Sequence, residues 1–111
     1  MNFPLEKQIQ RAILDFLRVN KICCWKNNNT GIYKKATNSY IPSPIHGVAD
    51  IIGLIPHQNG RFIAIEVKRP NGKQTDCQKI FEEMIKENNG IYILTHSVDE
   101  LEKQLKELNI I

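Results

Sequence analysis

Three residues offer the most chemistry: Asp50, Glu66 and Lys68. Glu66 and Lys68 end the apolar, β-branched run Arg61-Phe-Ile-Ala-Ile-Glu-Val-Lys68, which opens after an Asn59-Gly60 turn signal. Side chains alternate faces along a strand, so Glu66 and Lys68 point the same way as Phe62 and Ala64. Ile63, Ile65 and Val67 point the other way. Both faces are largely apolar, as in a central strand covered on both sides. A carboxylate and an ammonium at the end of such a strand are costly unless each has a partner. Asp50 stands just before a second apolar run, Ile51-Ile-Gly-Leu-Ile55, and Gly47 allows a tight turn ahead of it. If the two runs pair through the Pro56–Gly60 turn, Asp50 and Glu66 lie on neighbouring strands, able to share one divalent cation. A solvent-side ion pair closing a strand is the plainer alternative.

That constellation suits phosphodiester hydrolysis. Water must be made nucleophilic, charge on the phosphoryl group offset and the leaving oxygen stabilised. A hard cation such as Mg²⁺, with Mn²⁺ as substitute, serves these needs and prefers oxygen ligands. Asp50 and Glu66 supply carboxylates and the Val67 carbonyl a third oxygen. Glu6, in the first turn of an N-terminal helix, supplies another if it faces inward; otherwise it merely suits the helix dipole. Lys68 is placed to orient the attacking water or stabilise developing charge. Gln78 is placed to bond Lys68 or a substrate phosphate.

The chain has 111 residues, enough for one domain, 1–111, with its own core. Its 41% apolar and 24% charged content is that of a globular protein. No apolar run approaches the ~20 residues of a membrane span, and the N-terminus shows no signal-peptide pattern. The cysteines Cys23, Cys24 and Cys77 read as reduced thiols, which points to a cytoplasmic setting. There is no phosphate-binding glycine loop, no GxSxG element and no metal-ligand spacing among His46, His57 and His96, so an organic cofactor is not expected.

The net charge of +3 is unevenly spread. Between Asp15 and Asp50 every charged residue is basic: Arg18, Lys21, Lys26, Lys34 and Lys35. Lys68, Arg69, Lys73 and Lys79 form a second basic group, while the stretch from Glu82 to Glu107 leans acidic. A polyanion such as DNA finds one favourable face. Candidate contacts are Lys26, then Asn28 and Thr30 in a polar loop able to bond phosphate oxygens. Tyr33, Lys34 and Lys35 follow, an aromatic among cations suited to splayed bases, with Arg69 and Lys73 beyond the central strand. An ordinary basic surface accounts for the same residues.

The elements that must hold these residues follow from periodicity. Pro4 to Val19 reads as a helix with Leu5, Ile9, Ala12, Ile13, Phe16 and Leu17 as its stripe. Ile22–Lys26 reads as a short strand, and Ile32–Pro44 as a hairpin or loop. Thr75 and Gln78 form a capping box for a helix with a stripe of Ile80, Phe81, Met84 and Ile85, closed by Gly90 as C′ residue. Ile91–Thr95 is a strand. Ser97 and Glu100 form a second capping box, opening a helix with Val98, Leu101, Leu105 and Leu108 as apolar positions. The expected fold is α/β in the order α-β-β-β-α-β-α, a small mixed sheet flanked by helices.

These residues, in this order, resemble the VRR-NUC domain (virus-type replication-repair nuclease), a branch of the PD-(D/E)xK nuclease superfamily. The likeness rests on Glu6, Trp25 with the Asn27–Gly31 loop, Gly47-Val-Ala-Asp50, Ile65-Glu-Val-Lys68, Gln78 and Gly90, and spans nearly the whole chain. Ala49 stands where the family usually has proline, which is not a ligand. The resemblance implies a restriction-endonuclease-like core and a Mg²⁺- or Mn²⁺-dependent endodeoxyribonuclease. It implies Glu6, Asp50 and Glu66 as the acidic metal site, Lys68 as catalytic lysine and Gln78 as accessory glutamine. Short free-standing members are similar to bacterial or phage Holliday-junction resolvases, which implies branched DNA as substrate and a homodimer, with Ile110 and Ile111 compatible with an interface. The alternatives are a catalytically silent nuclease fold serving as a DNA-binding module or partner subunit, and a sequence-specific restriction-type nuclease.

Overall fold

The computed structural model describes residues 5–27, 32–34, 39–41 and 46–111, with side chains for all of these except 32–34 and 39–41. Helix α1 spans Glu6–Val19, and strand β1 Cys23–Lys26. A hairpin of β2 (Ile32–Lys34) and β3 (Ser39–Ile41) forms its own two-stranded sheet, Tyr33 opposite Tyr40. Then come β4 (Ile51–Ile55), a single 3-10 turn at Pro56–Gln58, β5 (Arg61–Val67), α2 (Asp76–Glu87), β6 (Ile91–Thr95) and α3 (Val98–Glu107). The main sheet has the order β1-β4-β5-β6, antiparallel except for the parallel pair β5 and β6. A parallel pair needs a crossover, and α2 provides it. The α/β fold with a mixed sheet is the one expected, and the Ile32–Pro44 stretch contains the hairpin.

The expected alternation of β5 is what builds the two cores. Ile63, Ile65 and Val67 join Ile13, Leu17, Ile51, Ile55, Leu101 and Leu105 beneath α1 and α3. On the other face Ala64 joins Ala49, Phe81, Ile85 and Tyr92, with Phe62 beside them, beneath α2. Glu66 shares this second face. The turn between β4 and β5 uses Asn59 (φ 59°) and Gly60 (φ 73°), both left-handed, and sets the register of Ile51 against Ile65. That register brings Asp50 beside Glu66.

The helices bury somewhat different lines from those expected. In α1 the buried residues are Gln10, Ile13 and Leu17, with Ile9, Leu14 and Phe16 at their margins, whereas Leu5 and Ala12 are exposed. The burial line is rotated toward 6-10-13-17, and this line carries Glu6 at its N-terminal end. Pro4 lies outside the described residues. In α2 only Phe81 and Ile85 are buried, while Ile80 and Met84 are exposed because α2 touches one sheet face alone. In α3 Leu101 and Leu105 are buried and Leu108 is exposed. Ser97 caps α3 as expected, but Glu100 reaches His96 rather than the Ser97 amide, accepting from the His96 N–H at 3.2 Å.

All three helices close the same way. After α2, Asn89 (φ 65°) is the left-handed C′ residue, and Gly90 follows it, donating its N–H to the Ile85 carbonyl at 2.8 Å. Gly90 is therefore not the C′ glycine expected. It is needed because a Cβ there would meet Ile85 Cγ2 at 2.7 Å. Lys21 and Asn109 play the left-handed role for α1 and α3, and the turns after them fold Ile22 and Ile110 inward. Ile110 is thus buried, 3% exposed, and unavailable to an interface; Ile111 remains exposed. Cys23, Cys24 and Cys77 are free thiols, as expected. Among the described residues no helix is long and apolar enough to cross a membrane.

Gly47 (φ 76°) seats the loop that carries Asp50 directly on the start of α2. A Cβ at Gly47 would collide with the Cys77 carbonyl group, whereas at Gly60 it would meet nothing within 4 Å among the described residues. Gly60→Ala should therefore cost only the left-handed backbone penalty, about 1–2 kcal/mol. Gly47→Ala should add about 1–3 kcal/mol of overpacking. Urea denaturation of both variants measures the difference, and equal losses would refute this account of Gly47.

Candidate active site

Strand β4 begins at Ile51 and β5 ends at Val67, so the ladder runs out where Asp50 and Glu66 oppose each other. The N–H of Val67 would be left without a strand partner. Asp50 Oδ2 accepts it at 2.9 Å. The Asp50 carbonyl in turn accepts the Asn27 N–H at 2.8 Å, extending the β1–β4 ladder by one bond. Asp50 is therefore fixed by its backbone on one side and its side chain on the other.

Glu66 is 2% exposed. Its Oε1 accepts from Gln78 Nε2 at 2.7 Å and lies 3.6 Å from Lys68 Nζ. Its Oε2 is buried with no hydrogen-bond partner among the described residues. Gln78 is held in turn by the cap of α2, where its Oε1 accepts from the Thr75 N–H at 2.8 Å and its own N–H donates to Thr75 Oγ1. The capping box is as expected, but Gln78 bonds Glu66 rather than Lys68. One carboxamide thus starts the helix and orients the acid. The Lys68 backbone is anchored by its N–H to the Thr95 carbonyl at 3.0 Å, across the parallel pair.

The electrostatics follow from this crowding. Burial, then the Asp50 charge, raise the Glu66 pKa to about 7 against the opposing pull of Lys68. Asp50 is also raised, first by burial; the Val67 N–H opposes this, and Glu6 and Lys68 add smaller effects of opposite sign. Glu6 is exposed in the first turn of α1, yet near enough for its charge to reach Asp50. Among the described residues no three His, Cys, Asp or Glu side chains assemble as a ready metal cage. The pair Asp50 and Glu66 comes together, and Glu6 stands off from it. Mg²⁺ is commonly held by one or two carboxylates with several waters. The orphaned Glu66 Oε2 beside a second carboxylate fits that donor set. The Val67 carbonyl belongs to the same residue whose N–H bonds Asp50.

The remaining sequence-stated contacts are scattered. Lys26, Arg69 and Lys73 are exposed. Tyr33 and Lys34 lie in β2, and Asn28, Thr30 and Lys35 lie outside the described residues. His46 and His57 are exposed, and His96 is taken up by Glu100. Sequence reasoning missed Gln74, whose Nε2 donates to Glu82 Oε1 at 3.0 Å and to the Tyr92 hydroxyl at 3.1 Å. Burial pushes Tyr92 up to about 12, keeping it a neutral hydroxyl next to Glu66. The only sequence signal was a polar side chain just ahead of a capping box.

A buried, charge-crowded carboxylate weakens the fold in the absence of metal. The folded state holds the Glu66 proton up to about pH 7, and the unfolded chain releases it near pH 4.5. Stability from this group is therefore full below about 4.5 and lost as pH rises to about 7. In EDTA, Glu66→Gln should match wild type in acid and exceed it by about 2–3 kcal/mol above pH 7. Denaturation curves at pH 5 and pH 8 test this, and a variant less stable at pH 8 would refute it.

Comparison with curated proteins gives no match, and comparison with solved structures gives none. The model of the VRR-NUC domain matches residues 6–99, from the first residue of α1 into α3. That match covers the strand-end acids, Lys68 and Gln78 alike, and nucleases of this PD-(D/E)xK type generally use divalent metals. The chain belongs to the VRR-NUC nuclease family.

Proposed function

We propose that this protein is a metal-dependent, structure-selective DNA endonuclease, acting on branched DNA such as four-way junctions as a two-fold homodimer. The observation that carries the nuclease reading is the pairing of Asp50 with a buried Glu66 at the ends of two adjacent strands, with Lys68 3.6 Å from the Glu66 carboxylate. Branched DNA and the dimer are supported by family likeness, since a four-way junction presents two equivalent strands to cut. The whole chain, 1–111, is read as one nuclease domain in a bacterial or phage-encoded cytoplasmic protein.

In this reading Asp50, Glu66 and the Val67 carbonyl hold Mg²⁺ or Mn²⁺, and Glu6 holds water at its margin. The cation, when bound, lowers the pKa of water and offsets charge on the phosphate. Asp50 keeps its orientation because the Val67 N–H fixes it. Glu66 is turned by Gln78, which leaves Oε2 free for a ligand. Lys68 reaches past the end of β5 as a partly buried cation and offers N–H donors to the attacking water or the scissile phosphate. Pre-placed donors of this kind are worth about 10²–10³-fold in turnover.

Cleavage of four-way junction, flap, single-stranded and linear duplex DNA, with Mg²⁺, Mn²⁺ or EDTA, tests the proposal. Wild type should nick or resolve the junction only with metal. Lys68→Ala should lose about 10²–10³-fold in kcat, and Asp50→Ala should abolish cutting while binding persists. Unchanged cutting by both variants would refute the site. Tight metal-independent binding with no cutting of any substrate would favour a silent binding module.

A further inference from the structure

Between α1 and the end of β1 lies a cleft of about 310 Å³ lined by Lys7, Gln10, Arg11, Leu14 and Lys26. Three of its five residues are cations. None of the three forms an ion pair among the described residues, although ion pairs form on α2 and α3. Lys26 reaches the cleft because it shares a strand face with Cys24, which is packed into the core under α1. Lys7 and Arg11 are four apart and so neighbours on the α1 surface.

Gln10 adds an independent sign. It occupies the buried line of α1 between Glu6 and Ile13, where an apolar side chain would serve packing better. It is 7% exposed, and its Oε1 is enclosed with no hydrogen-bond partner among the described residues. Such an orphan costs about 1–3 kcal/mol. A carboxamide can also turn to present its two N–H donors. Kept at the floor of a cationic cleft, it is suited to an acceptor-rich ligand.

The two walls of the cleft are each adjacent in the chain to a residue coupled to Asp50. Glu6, whose charge reaches Asp50, immediately precedes Lys7. Lys26 immediately precedes Asn27, whose N–H donates to the Asp50 carbonyl. A polyanion held by Lys7 and Lys26 is therefore held by the chain neighbours of Glu6 and Asn27, both of which act on Asp50. We propose that the cleft seats the phosphodiester backbone of the DNA strand flanking the cut, with Lys7, Arg11 and Lys26 on its phosphates and the Gln10 carboxamide beneath them. The proposal rests on the nuclease reading for its substrate, and it adds Lys7, Arg11 and Gln10 to the interface. These cations position the strand and take no part in bond breaking.

The test is DNA binding by the full chain in EDTA across a salt series, together with cleavage in Mg²⁺, for wild type, Lys7→Gln/Arg11→Gln and the charge-matched control Lys103→Gln/Lys106→Gln. Each lost phosphate contact lowers the slope of log K against log salt by about one, so the cleft variant should lose about two and the control none. Its KM should rise with kcat kept. Gln10→Leu should fold at least as stably as wild type and bind more weakly. Wild-type cutting with equal slopes for the cleft variant and wild type, or equal losses in cleft variant and control, overturns the cleft and leaves the nuclease standing. A slope difference with no cutting by wild type upholds the cleft and overturns the nuclease. No DNA binding by wild type overturns both.

Discussion

The site depends on one hydrogen bond, from the Val67 N–H to Asp50 Oδ2 at 2.9 Å. A strand that outruns its neighbour leaves a backbone donor without a partner, and an unpaired buried donor is costly. Here an acidic side chain fills the gap. The same bond closes the sheet, fixes one carboxylate and sets its distance from the other, because Glu66 immediately precedes Val67. Packing then does the rest. The apolar residues of β5 hold the strand between two cores, so the chain ends of β4 and β5 cannot drift apart.

The arrangement sets stability against chemistry. Burial and the Asp50 charge raise the Glu66 pKa, and one of its oxygens has no partner among the described residues. Buried unpartnered acceptors are rare in proteins and ask for an explanation. Gln10 has the same property at the floor of the neighbouring cleft. Gln104 Oε1, on α3, is a third such acceptor among the described residues. Glu66 sits on the sheet face beneath α2, and Gln10 belongs to α1 over the opposite face.

Much of this was legible from the chain. The alternation of Phe62 to Lys68 specified which residues faced α2, and the turn at Asn59-Gly60 was enough to bring Asp50 and Glu66 together. What was not legible needed tertiary information. The contact between Gln78 and Glu66 joins residues twelve apart on different elements, and no spacing rule predicts it. The burial line of α1 turned away from Leu5 and Ala12 because the sheet lies under Gln10, Ile13 and Leu17. Ile110 went inward because the turn after α3, with Asn109 left-handed, folds the tail back. Lys7 and Arg11 looked like ordinary helix surface until Lys26 was placed opposite them.

Gln78 also bears on how such a site can arise. Its two ends serve two clients, the Thr75 amide and the Glu66 carboxylate. The first bond is local in sequence, three residues apart, and belongs to any helix that starts this way. Orientation of the acid is thereby borrowed from a motif whose geometry is already fixed by helix formation. The arrangement is modular: a strand-end glutamate set against the first turn of a following helix can acquire a fixed orientation through a single glutamine at the third helical position. Few other changes are needed for a structural cap to orient a neighbouring acid, so this corner of the fold is an accessible starting point for new strand-end acids.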